Sequence, residues 1–389
     1  MPNIKKIEQI QGEMTEWRRD LHAHPEIAFE ERRTADFVAA KLAEFGMEVH
    51  RGLAKTGVVG SLNSGDGPSI GLRADMDALP IVEQTGLAHC STNAGKMHAC
   101  GHDGHTAMLL GAAKYLAATR DFKGTVRFIF QPAEELEGGG RVMVEEGLFD
   151  KFPVDSVYGM HNMPDMPLGT MSARGGPGMA SAASFEIKVI GKGGHAAAPH
   201  EGIDPIVAGA AIVGALQTIA SRSVNPTEGI VVSVTQFHAG ETAINAIPGT
   251  ALLRGTARSF AVDAEISVPA MIRRVVDGIA AAHGVTVEFS YQHRYPVLVN
   301  SEIESGIALK VGQEIVGKDR MDSVYPRIMA SEDFAYMLNA RPGCFVRLGS
   351  AFEDCDSPML HSPHFDFNDN ALPIGASFWA RLVETVLAR

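Results

Sequence analysis

The residues with the clearest chemical potential in this sequence are Cys100 and His102, which lie two positions apart on a turn that contains Gly101. A thiolate and an imidazole are the usual ligands of Zn²⁺ and related borderline ions. On these two residues alone, a metal site and a free cysteine beside a surface histidine are equal alternatives. Asp103 is a candidate for holding a ring N–H of His102, and we interpret His105, one helical turn further, as a helix-packing residue.

A second group is the adjacent carboxylate pair Glu134 and Glu135, which follows the predicted strand TVRFIFQ. Neighbouring carboxylates at a strand end point in different directions, so one can bind a metal while the other takes a proton from a metal-bound water. Because other glutamates follow nearby, the pair also fits a solvated acidic turn. His161 ends the next predicted strand and favours the metal site, because it adds a neutral nitrogen ligand at the same edge of the sheet.

Two further groups depend on the fold to reach this edge. Asp75 and Asp77 in the string RADMD directly follow a strand, so one can orient a metal-bound histidine or the site itself while the other caps the next turn. His361 and His364 lie far along the chain, where a loop histidine is the default interpretation. The spacing along the chain does not join His361 or His364 to Cys100.

Three residues in the middle of the chain are candidates for substrate contacts. His195 ends a glycine-rich turn, from which it can reach out of its own domain. The turn lacks the Lys-Ser/Thr pair of a phosphate-binding P-loop. Asn245 and Arg258 flank a predicted hairpin, and an arginine fork suits a carboxylate. Ordinary surface positions are the simpler interpretation of Asn245 and Arg258 when they are considered alone.

The composition narrows the classes of function. The chain has 389 residues, of which 46 are acidic and 34 basic, so its net charge is −12. This charge weighs against nucleic acid, for which a basic stripe is expected, and against an anionic membrane surface. The polar N-terminus has no signal-peptide core, and no uninterrupted apolar run approaches the ~20 residues of a membrane span. We therefore expect a cytoplasmic protein whose four cysteines are thiols.

The elements that must position these residues follow an α/β pattern. Predicted strands and helices alternate, at 69–74, 104–118, 125–131, 139–147 and 155–161. This order implies a mixed, mainly parallel sheet with helices on both faces. Ligands bind outside the carboxyl ends of the strands in such sheets, and the polar groups lie there. Smaller assignments are a helix over 4–22, a helix N-cap at Ser331 and a cap of the final helix at Asp369 or Asn370.

The middle of the chain has a different order of elements. Residues 184–295 follow the pattern β-α-β-β-α-β, which is the ferredoxin-like α+β arrangement. We predict that this segment is a lid inserted between two parts of a catalytic domain, 1–183 and 296–389. The strand predicted at 229–238 is a candidate for an exposed edge that pairs with a second copy of the chain. A homodimer through the lid is therefore expected.

Several strings taken together resemble one known family. They are MHACGHDGHTAMLLGAA, QPAEE, GMH, GKGGHAAAPH, INAIPGTALLRGTAR and LHSPHF. In this order they are similar to the amidohydrolase branch of the aminoacylase and carboxypeptidase G clan of metallopeptidases. Hippurate hydrolases and plant indole-acetyl-amino-acid hydrolases belong to that branch. The resemblance runs from about residue 15 to residue 385.

This resemblance implies two divalent metal ions per subunit, with Zn²⁺, Mn²⁺, Co²⁺ and Ni²⁺ all open. The implied ligands are Cys100, His102, Glu135, His161 and His361. Glu134 is implied as the general base and Asp75 as a residue that supports the site. Other branches of the clan carry a ligating His-x-Asp string, where this chain has Arg73, Ala74 and Asp75. The histidine ligand is therefore missing here, and Cys100 with His102 takes its place.

The resemblance also implies roles in the lid and an activity. His195 is similar to a lid histidine that, in dimeric relatives, reaches the active site of the other subunit. Asn245 and Arg258 match positions that hold the substrate carboxylate. The implied reaction is hydrolysis of N-acyl amino acids to a carboxylic acid and a free amino acid. Phe345, Met329 and the segment 174–181 are considered as pocket lining, although core packing is the simpler interpretation of each.

Three alternatives to this activity are weighed. A dipeptidase or aminopeptidase of the same clan uses the same amide cleavage. A thiol enzyme would use Cys100 as its nucleophile with a histidine partner, and it would keep its activity in the presence of a chelator. A catalytically silent ligand-binding homologue is disfavoured because Glu134 and all five implied ligands are present.

Overall fold

The computed structural model describes residues 4–353 and 357–389. Within them, the helices are α1 Lys5–Glu8, α2 Gln11–Ala23, α3 Arg32–Glu44, α4 His102–Thr119, α5 Gly139–Glu145, α6 Leu148–Lys151, α7 Pro205–Thr218, α8 Ala264–His283, α9 Glu302–Val316, α10 Ala335–Ala340 and α11 Leu372–Val386. The strands are β1 Glu48–Leu53, β2 Gly57–Asn63, β3 Ser69–Asp75, β4 Thr125–Gln131, β5 Ser156–Met163, β6 Met171–Ser172, β7 Gly176–Met179, β8 Ser181–Ile190, β9 Gly194–His195, β10 Ile230–Ala239, β11 Ala246–Ile247, β12 Thr250–Ser259, β13 Thr286–Tyr295, β14 Leu298–Asn300, β15 Met321–Asp322 and β16 Gly343–Gly349.

These elements form two compact units. The first unit comprises the described residues of Met1–Gly176, Val299–Pro326 and Asp333–Arg389. The second comprises Pro177–Leu298 and Arg327–Glu332.

The first unit is built on an eight-stranded mixed sheet of order β1-β2-β4-β3-β5-β16-β6-β15. The central strands β4, β3, β5 and β16 are parallel to one another, whereas β1 and β2 are antiparallel additions at one side. The expectation of a mixed, mainly parallel sheet is therefore confirmed. Asp75 pairs with Gln131 in register, and His161 pairs with Arg347. The parallel register thus brings the polar residues that follow these strands to one edge.

The interior of this unit explains why its central strands carry few polar residues before their ends. Every residue of β16 is buried, and so is every residue of β3 after Ser69. Strands that are buried on both faces need an apolar layer on each side. Helix α4 contacts β3, α5 contacts β4, and α9 contacts β16. Helix α4 is buried nearly all round from His102 to Ala113, because α2, α3 and α11 pack against it in turn.

The second unit contains a four-stranded antiparallel sheet of order β10-β12-β8-β13. With α7 between β8 and β10 and α8 between β12 and β13, this is the ferredoxin-like order that the sequence predicts. Strand β10 lies at one edge of this sheet. The stretch Pro205–Ser223 is long and apolar enough to suit a membrane span by length and composition alone. One face of this helix packs inside the unit, where Ala208, Ile212 and Leu216 are fully buried, while 28% of the stretch is buried in all.

The structure corrects the sequence-based assignments at several helix ends. The helix predicted over 4–22 is interrupted, because the Ile10 N–H bonds to the Ile7 carbonyl in a tight turn and α2 begins only at Gln11. Ser331 does not cap a helix, since its hydroxyl accepts a hydrogen bond from Arg258 and α10 begins at Ala335.

The cap of the final helix is also one residue away from its predicted position. Asn368 supplies the cap by accepting from the Asn370 N–H, and one helical turn there precedes α11. Asp369, which was predicted as a cap, instead pairs with the Arg18 guanidinium at 2.7 Å. A buried arginine binds a carboxylate more strongly than an exposed N–H does, because both partners are charged.

Candidate metal centre

The five predicted metal ligands lie together at the carboxyl edge of the large sheet. The ligand atoms of Cys100, His102 and His161 are all within 4.8 Å of one another, and so are those of Cys100, Glu135 and His361. Cys100 belongs to both triads, which places one thiol between two groups of donors. The His161 Nε2 atom is 3.4 Å from the Cys100 sulfur, and the His361 Nε2 atom is 3.3 Å from Glu135 Oε1.

A single glycine allows the first two ligands to face the same point. Gly101 has φ 94°, in the left-handed region that favours glycine. A Cβ atom on it would lie 2.3 Å from the Asn162 side-chain oxygen. Cys100 and His102 therefore flank a position at which a larger residue would disturb the end of β5. Helix α4 starts directly at His102, so this ligand is fixed to a buried helix.

Asp77 sets the orientation of His102. The His102 Nδ1–H donates to the Asp77 backbone carbonyl at 2.9 Å and lies 3.2 Å from its carboxylate. The Nε2 atom is thereby turned toward Glu135, whose Oε1 is 3.8 Å away. The assignment of this role to Asp103 is wrong. Asp103 accepts from His22 at 2.8 Å, because consecutive residues of a helix point about 100° apart.

His161 presents the same nitrogen to the cluster. Its Nδ1–H donates to the Asn162 carbonyl at 2.7 Å, which leaves the Nε2 lone pair for a ligand. Desolvation, followed by the neighbouring His105, lowers the pKa of His161 to about 3. The ring is therefore neutral at physiological pH, which is the form that binds metal.

His105 is a buried polar link and not a helix-packing residue. Its Nδ1–H donates to Asp75 at 2.6 Å, and its Nε2 accepts from the Asn162 N–H at 3.1 Å. Its ring lies against His161, with centroids 4.6 Å apart. Burial opposes ionisation of Asp75, but His102, Arg73 and His105 outweigh it and hold the pKa of Asp75 well below its ordinary range. Asp75 is therefore a charged group, and it supports the cluster through its hydrogen bond with His105.

Arg73 occupies the position at which the sequence resemblance implies a ligating histidine in other branches of the clan. Its guanidinium is fully buried and donates to Asp75 at 2.6 Å, to Gln131 at 2.8 Å and to Asp333 at 3.0 Å. A permanently charged guanidinium cannot act as a metal ligand. Arg73 instead links Asp75 to Asp333, and the Asp333 N–H in turn lies 3.4 Å from Glu134 Oε1.

The two adjacent carboxylates point to different groups. Glu135 reaches His361 and His102, and its own N–H donates to the Asp77 carboxylate at 3.0 Å. Glu134 is 7% exposed and reaches the Asp333 backbone. Its carboxylate also lies within 4.8 Å of the ligand atoms of His102 and Glu135. The pair thus has the geometry of one ligand beside one proton acceptor.

His361 arrives from a loop that the sequence could not connect to the other ligands. Its N–H donates to the Ala99 carbonyl at 2.7 Å, which places it beside Cys100. Its backbone φ is 65°, a left-handed conformation that few residues other than glycine adopt. Such strain persists only where the surroundings enforce it, and it concentrates at functional sites.

The donor set fits divalent metal ions. His102 Nε2 and Glu135 Oε1 are buried atoms without a geometrically good hydrogen bond to any described residue, and such atoms are costly unless something binds them. Burial and the nearby Glu135 and Glu134 raise the pKa of the Cys100 thiol well above its ordinary value. Burial opposes protonation of His102, yet Asp75 and Asp77 raise its pKa to about 10. The carboxylates that contribute to both shifts carry negative charge that a bound cation would neutralise.

The remaining described cysteines lie apart from this cluster. Cys90 and Cys344 are free thiols, and Cys344 is buried in the core behind the sheet. Cys355 lies outside the described residues. Phe345, considered as pocket lining, is 5% exposed and packs against Phe334, as expected for the core.

The three residues that the sequence predicts for substrate contacts, His195, Asn245 and Arg258, are found in the second unit. His195 is exposed and pairs in register with Ala246 in the short ladder of β9 and β11. Asn245 lies beside it, since its carbonyl accepts from the Ala196 N–H at 2.9 Å. Arg258 is half-buried on β12, where it donates to Ser331 at 2.8 Å, and burial lowers the pKa of its guanidinium.

Sequence reasoning missed several residues that hold the site. The roles of Asn162 and Asp333 depend on contacts across the sheet edge, which no local spacing reveals. Asp77 had a local signal, because it follows a strand directly in the string RADMD.

Comparisons with known proteins agree with this geometry. The sequence model of peptidase family M20/M25/M40 matches residues 71–385. A hippurate hydrolase from Campylobacter jejuni is 41% identical over 380 residues, covering 97% of this chain and 98% of that protein. An N-acetylcysteine deacetylase from Bacillus subtilis is also 41% identical, covering 95% and 96% of the two chains.

A solved structure extends the comparison to the metal site. A dinuclear metal-binding peptidase of the M20 family from Bacillus subtilis is 38% identical, with a TM-score of 0.86, and the match covers 98% of this chain and 99% of that one. Together with the ligand clusters around Cys100, this supports two divalent metal ions. The resemblance drawn from the sequence motifs is confirmed. This chain belongs to peptidase family M20/M25/M40, and it is a metal-dependent amidohydrolase of that family.

Proposed function

We propose that this protein hydrolyses the amide bond of N-acyl amino acids, giving a carboxylic acid and a free amino acid. The observation that carries the proposal is the convergence of five sulfur, nitrogen and oxygen donors around Cys100, with the carboxylate of Glu134 beside them. The relatives that share this chain's full length include a hippurate hydrolase and an N-acetylcysteine deacetylase, and both of these names describe N-acyl amino acids as substrates.

In this proposal the metal ligands are Cys100, His102, Glu135, His161 and His361. When bound, two divalent ions supply a water of lowered pKa and a Lewis acid for the scissile carbonyl. Glu134 accepts the proton of the attacking water and delivers it to the leaving nitrogen. The Asp333 N–H near its Oε1 holds this carboxylate in place. The proposal extends to Zn²⁺, Mn²⁺, Co²⁺ and Ni²⁺, because the set combines one thiolate, which favours Zn²⁺, three imidazoles, which suit Zn²⁺ and Ni²⁺, and one carboxylate, which suits Mn²⁺.

We assign substrate contacts to the inserted segment 184–295, which acts as a lid on a catalytic domain formed by 1–183 and 296–389. His195 stabilises the tetrahedral oxyanion, and Asn245 and Arg258 bind the substrate carboxylate. The exposure of His195 and its place beside Asn245 support this assignment, because both side chains are available to a ligand. We also propose a cytoplasmic homodimer that forms through the edge strand β10.

The test is a panel of N-acetyl, N-benzoyl and indole-acetyl amino acids, assayed with Mn²⁺ and with Zn²⁺. We expect cleavage of substrates with a blocked nitrogen and a free carboxylate, loss of activity with EDTA and recovery on adding metal. Preferential cleavage of dipeptides with a free amino terminus would instead identify a dipeptidase or aminopeptidase. No cleavage of any compound by the metal-loaded protein would favour the silent homologue.

A thiol mechanism is disfavoured by the environment of Cys100. A cysteine nucleophile needs a thiolate, which is normally supplied by a lowered pKa. Here burial and two adjacent carboxylates raise the pKa of the Cys100 thiol. The thiolate is stabilised only if a cation is present. Activity that survives complete chelation would reverse this conclusion.

A further inference from the structure

The turn that carries Glu134 and Glu135 begins with a strained residue. Ala133 is fully buried and has φ 55°, in the left-handed region. An alanine adopts this conformation only where its surroundings hold it. Its carbonyl accepts from the Gly139 N–H at 2.9 Å. Its N–H is bonded by a side chain that is distant in sequence.

That side chain is Glu31, whose carboxylate is fully buried. Its Oε1 accepts from the Ala133 N–H at 2.9 Å and from the Phe29 N–H at 3.0 Å. Its Oε2 accepts from the Thr56 hydroxyl at 2.6 Å. No ion pair of Glu31 is found within residues 4–353 and 357–389. A buried carboxylate without a cationic partner is expensive, and accordingly burial raises the pKa of Glu31 to about 7.

The three donors to this carboxylate belong to unusual backbone segments. Within the described chain, six residues other than glycine have positive φ. Four of them lie at, or within two residues of, the partners of Glu31, namely Phe29, Ala54, Lys55 and Ala133. Thr56 directly follows Ala54 and Lys55. Its N–H donates to the Ala54 carbonyl at 2.8 Å, which closes that turn. Glu31 therefore joins three strained turns at one point.

We propose that Glu31 is a positioning residue for the general base, acting through the Ala133 N–H. This inference rests on the proposed function, in which Glu134 is that base. The carboxylate of Glu31 fixes the peptide between Pro132 and Ala133, one residue before the peptide that enters Glu134, and so sets the direction in which the Glu134 side chain leaves the turn. Near-attack geometry is sensitive to displacements of about 1 Å, which can cost ~10²-fold in rate.

The other side of the turn has separate supports. Asp77 accepts from the Glu135 N–H, and Glu135 also contacts His361. Loss of Glu31 therefore releases the entry to the turn while the metal ligand stays anchored. This asymmetry makes a specific prediction: removing the Glu31 acceptor lowers kcat but leaves the metal content and KM nearly unchanged.

The test compares three substitutions of Glu31 in the full-length, metal-loaded protein. Glu31→Gln keeps an acceptor for both N–H groups, and its amide can donate to the Thr56 hydroxyl. Glu31→Met has a similar shape without an acceptor, and Glu31→Asp keeps the charge but is too short to reach Ala133. We expect kcat to fall about 10- to 100-fold in the Met and Asp variants and to stay within about threefold in the Gln variant. Bound metal per chain, from elemental analysis, should match the wild type in all three.

Glu26 provides a matched control for a merely structural role. Its carboxylate accepts from the Arg33 and Thr34 N–H groups and so caps α3, the helix that begins directly after Glu31. It does not contact the turn at Ala133. Glu26→Met should lower the melting temperature and leave kcat of the folded enzyme unchanged. If Glu26→Met and Glu31→Met lower kcat equally, or if Glu31→Gln is as impaired as Glu31→Met, the positioning role is refuted.

Hydrogen–deuterium exchange tests the geometry without any substrate. The Ala133 amide in a peptide spanning residues 131–136 should exchange faster in Glu31→Met and Glu31→Asp, and at the wild-type rate in Glu31→Gln and Glu26→Met. Unchanged exchange in all variants overturns the proposal. If exchange responds as expected but the wild type cleaves no N-acyl amino acid, the proposed function fails and the role of Glu31 in holding the turn stands. Should the Met variant fail to fold, the contrast between Asp and Gln decides.

Discussion

At the scale of single residues, the directions of the His102 and His161 imidazoles are set by the partner of the second ring nitrogen. His102 donates from Nδ1 to Asp77, and His161 donates from Nδ1 to the Asn162 carbonyl. Both rings therefore present Nε2 to the neighbourhood of Cys100. Fixing the second nitrogen selects the tautomer and reduces the entropy lost when a ligand bond forms. The site is thus oriented by its surroundings before any ion binds.

The roles of the two adjacent glutamates can be separated by one substitution. Glu134→Gln removes the proton acceptor but keeps the shape and the contact with the Asp333 N–H. We expect kcat to fall by ~10²–10⁴-fold, the usual contribution of a general base. Elemental analysis should still find two metal ions per chain, because the proposed ligand of this pair is Glu135. Turnover close to that of the wild type would refute the assignment.

The role of Cys100 can be tested against a second buried thiol. Cys100→Ala should lose bound metal and activity together, since its sulfur belongs to both ligand triads. Cys344→Ala removes a thiol of similar burial that lies away from the cluster. It should retain its metal and lose only the stability expected of a small core cavity, about 1 kcal/mol. Full metal occupancy in Cys100→Ala, measured by elemental analysis, would contradict the proposed ligand set.

At the scale of elements, helix α4 is held by ionic contacts of Asp103, which points about 100° away from the proposed ligand His102. Asp103 accepts from His22 of α2 at 2.8 Å, and Arg18 of the same helix is 3.7 Å from Asp103. Arg18 also pairs with Asp366 and Asp369 near the start of α11. These contacts connect α2, α4 and the C-terminal segment. The sequence predicts that Asp103 orients the His102 ring. In the structure Asp103 instead contributes to the packing of α4 through its contacts with α2.

This contact predicts a pH dependence of stability. Burial opposes protonation of His22, but Asp103 and Glu83 outweigh it and raise its pKa to about 9. Because the folded-state value lies above the unfolded value of 6.5, the contribution is complete below pH 6.5 and is lost as the pH rises through 9. Its size is on the order of 3 kcal/mol, since one pKa unit corresponds to about 1.4 kcal/mol. The groups that face His22 are Arg18, Glu83, His89, His98 and Asp103.

The measurement uses urea unfolding of the metal-free protein at pH 6 and pH 9.5. The only two tryptophans, Trp17 and Trp379, are both buried in the first unit, so their fluorescence reports on that unit. The difference in free energy of unfolding between the wild type and His22→Gln should be large at pH 6. At pH 9.5 it should be smaller by about 3 kcal/mol. A difference independent of pH would show that His22 contributes by packing alone.

At the scale of the whole molecule, the exposed edge of the second unit governs the proposed dimer. Thr235 and His238 are exposed on β10, which lies at one end of the antiparallel sheet. Charged side chains on an edge oppose pairing with another strand. The double substitution Thr235→Lys with His238→Lys should convert the dimer to a monomer in sedimentation velocity. If His195 serves the other subunit, kcat should fall by ~10²-fold as well, the typical cost of one oxyanion donor.

The opposite edge of the same sheet gives the control. Ser290 and Gln292 are exposed on β13, and lysines there should leave both sedimentation and kcat unchanged. Equal effects at the two edges would indicate general charge repulsion. A wild-type protein that sediments as a monomer at working concentration would exclude the dimer itself.

The sequence alone determined the chemistry available to this protein and the order of its elements. The chemistry follows from a thiol and an imidazole around Gly101 and from paired glutamates after a strand. The order of elements follows from a βαβ pattern interrupted by a ferredoxin-like segment. These are local signals, since ligand type, turn chemistry and hydrophobic period all depend on near neighbours. Cys100, His102 and Glu135 were recognisable for that reason.

Which groups meet depends on the tertiary fold. His361 reaches Glu135 across more than two hundred residues, Asp77 rather than Asp103 orients His102, and Glu31 holds the turn before Glu134. Each of these contacts depends on strand register and on the face that a helix turns to its neighbours. Neither property is encoded in the spacing of two residues along the chain. The sequence therefore specified the donors, and the folding of the sheet edge specified their geometry.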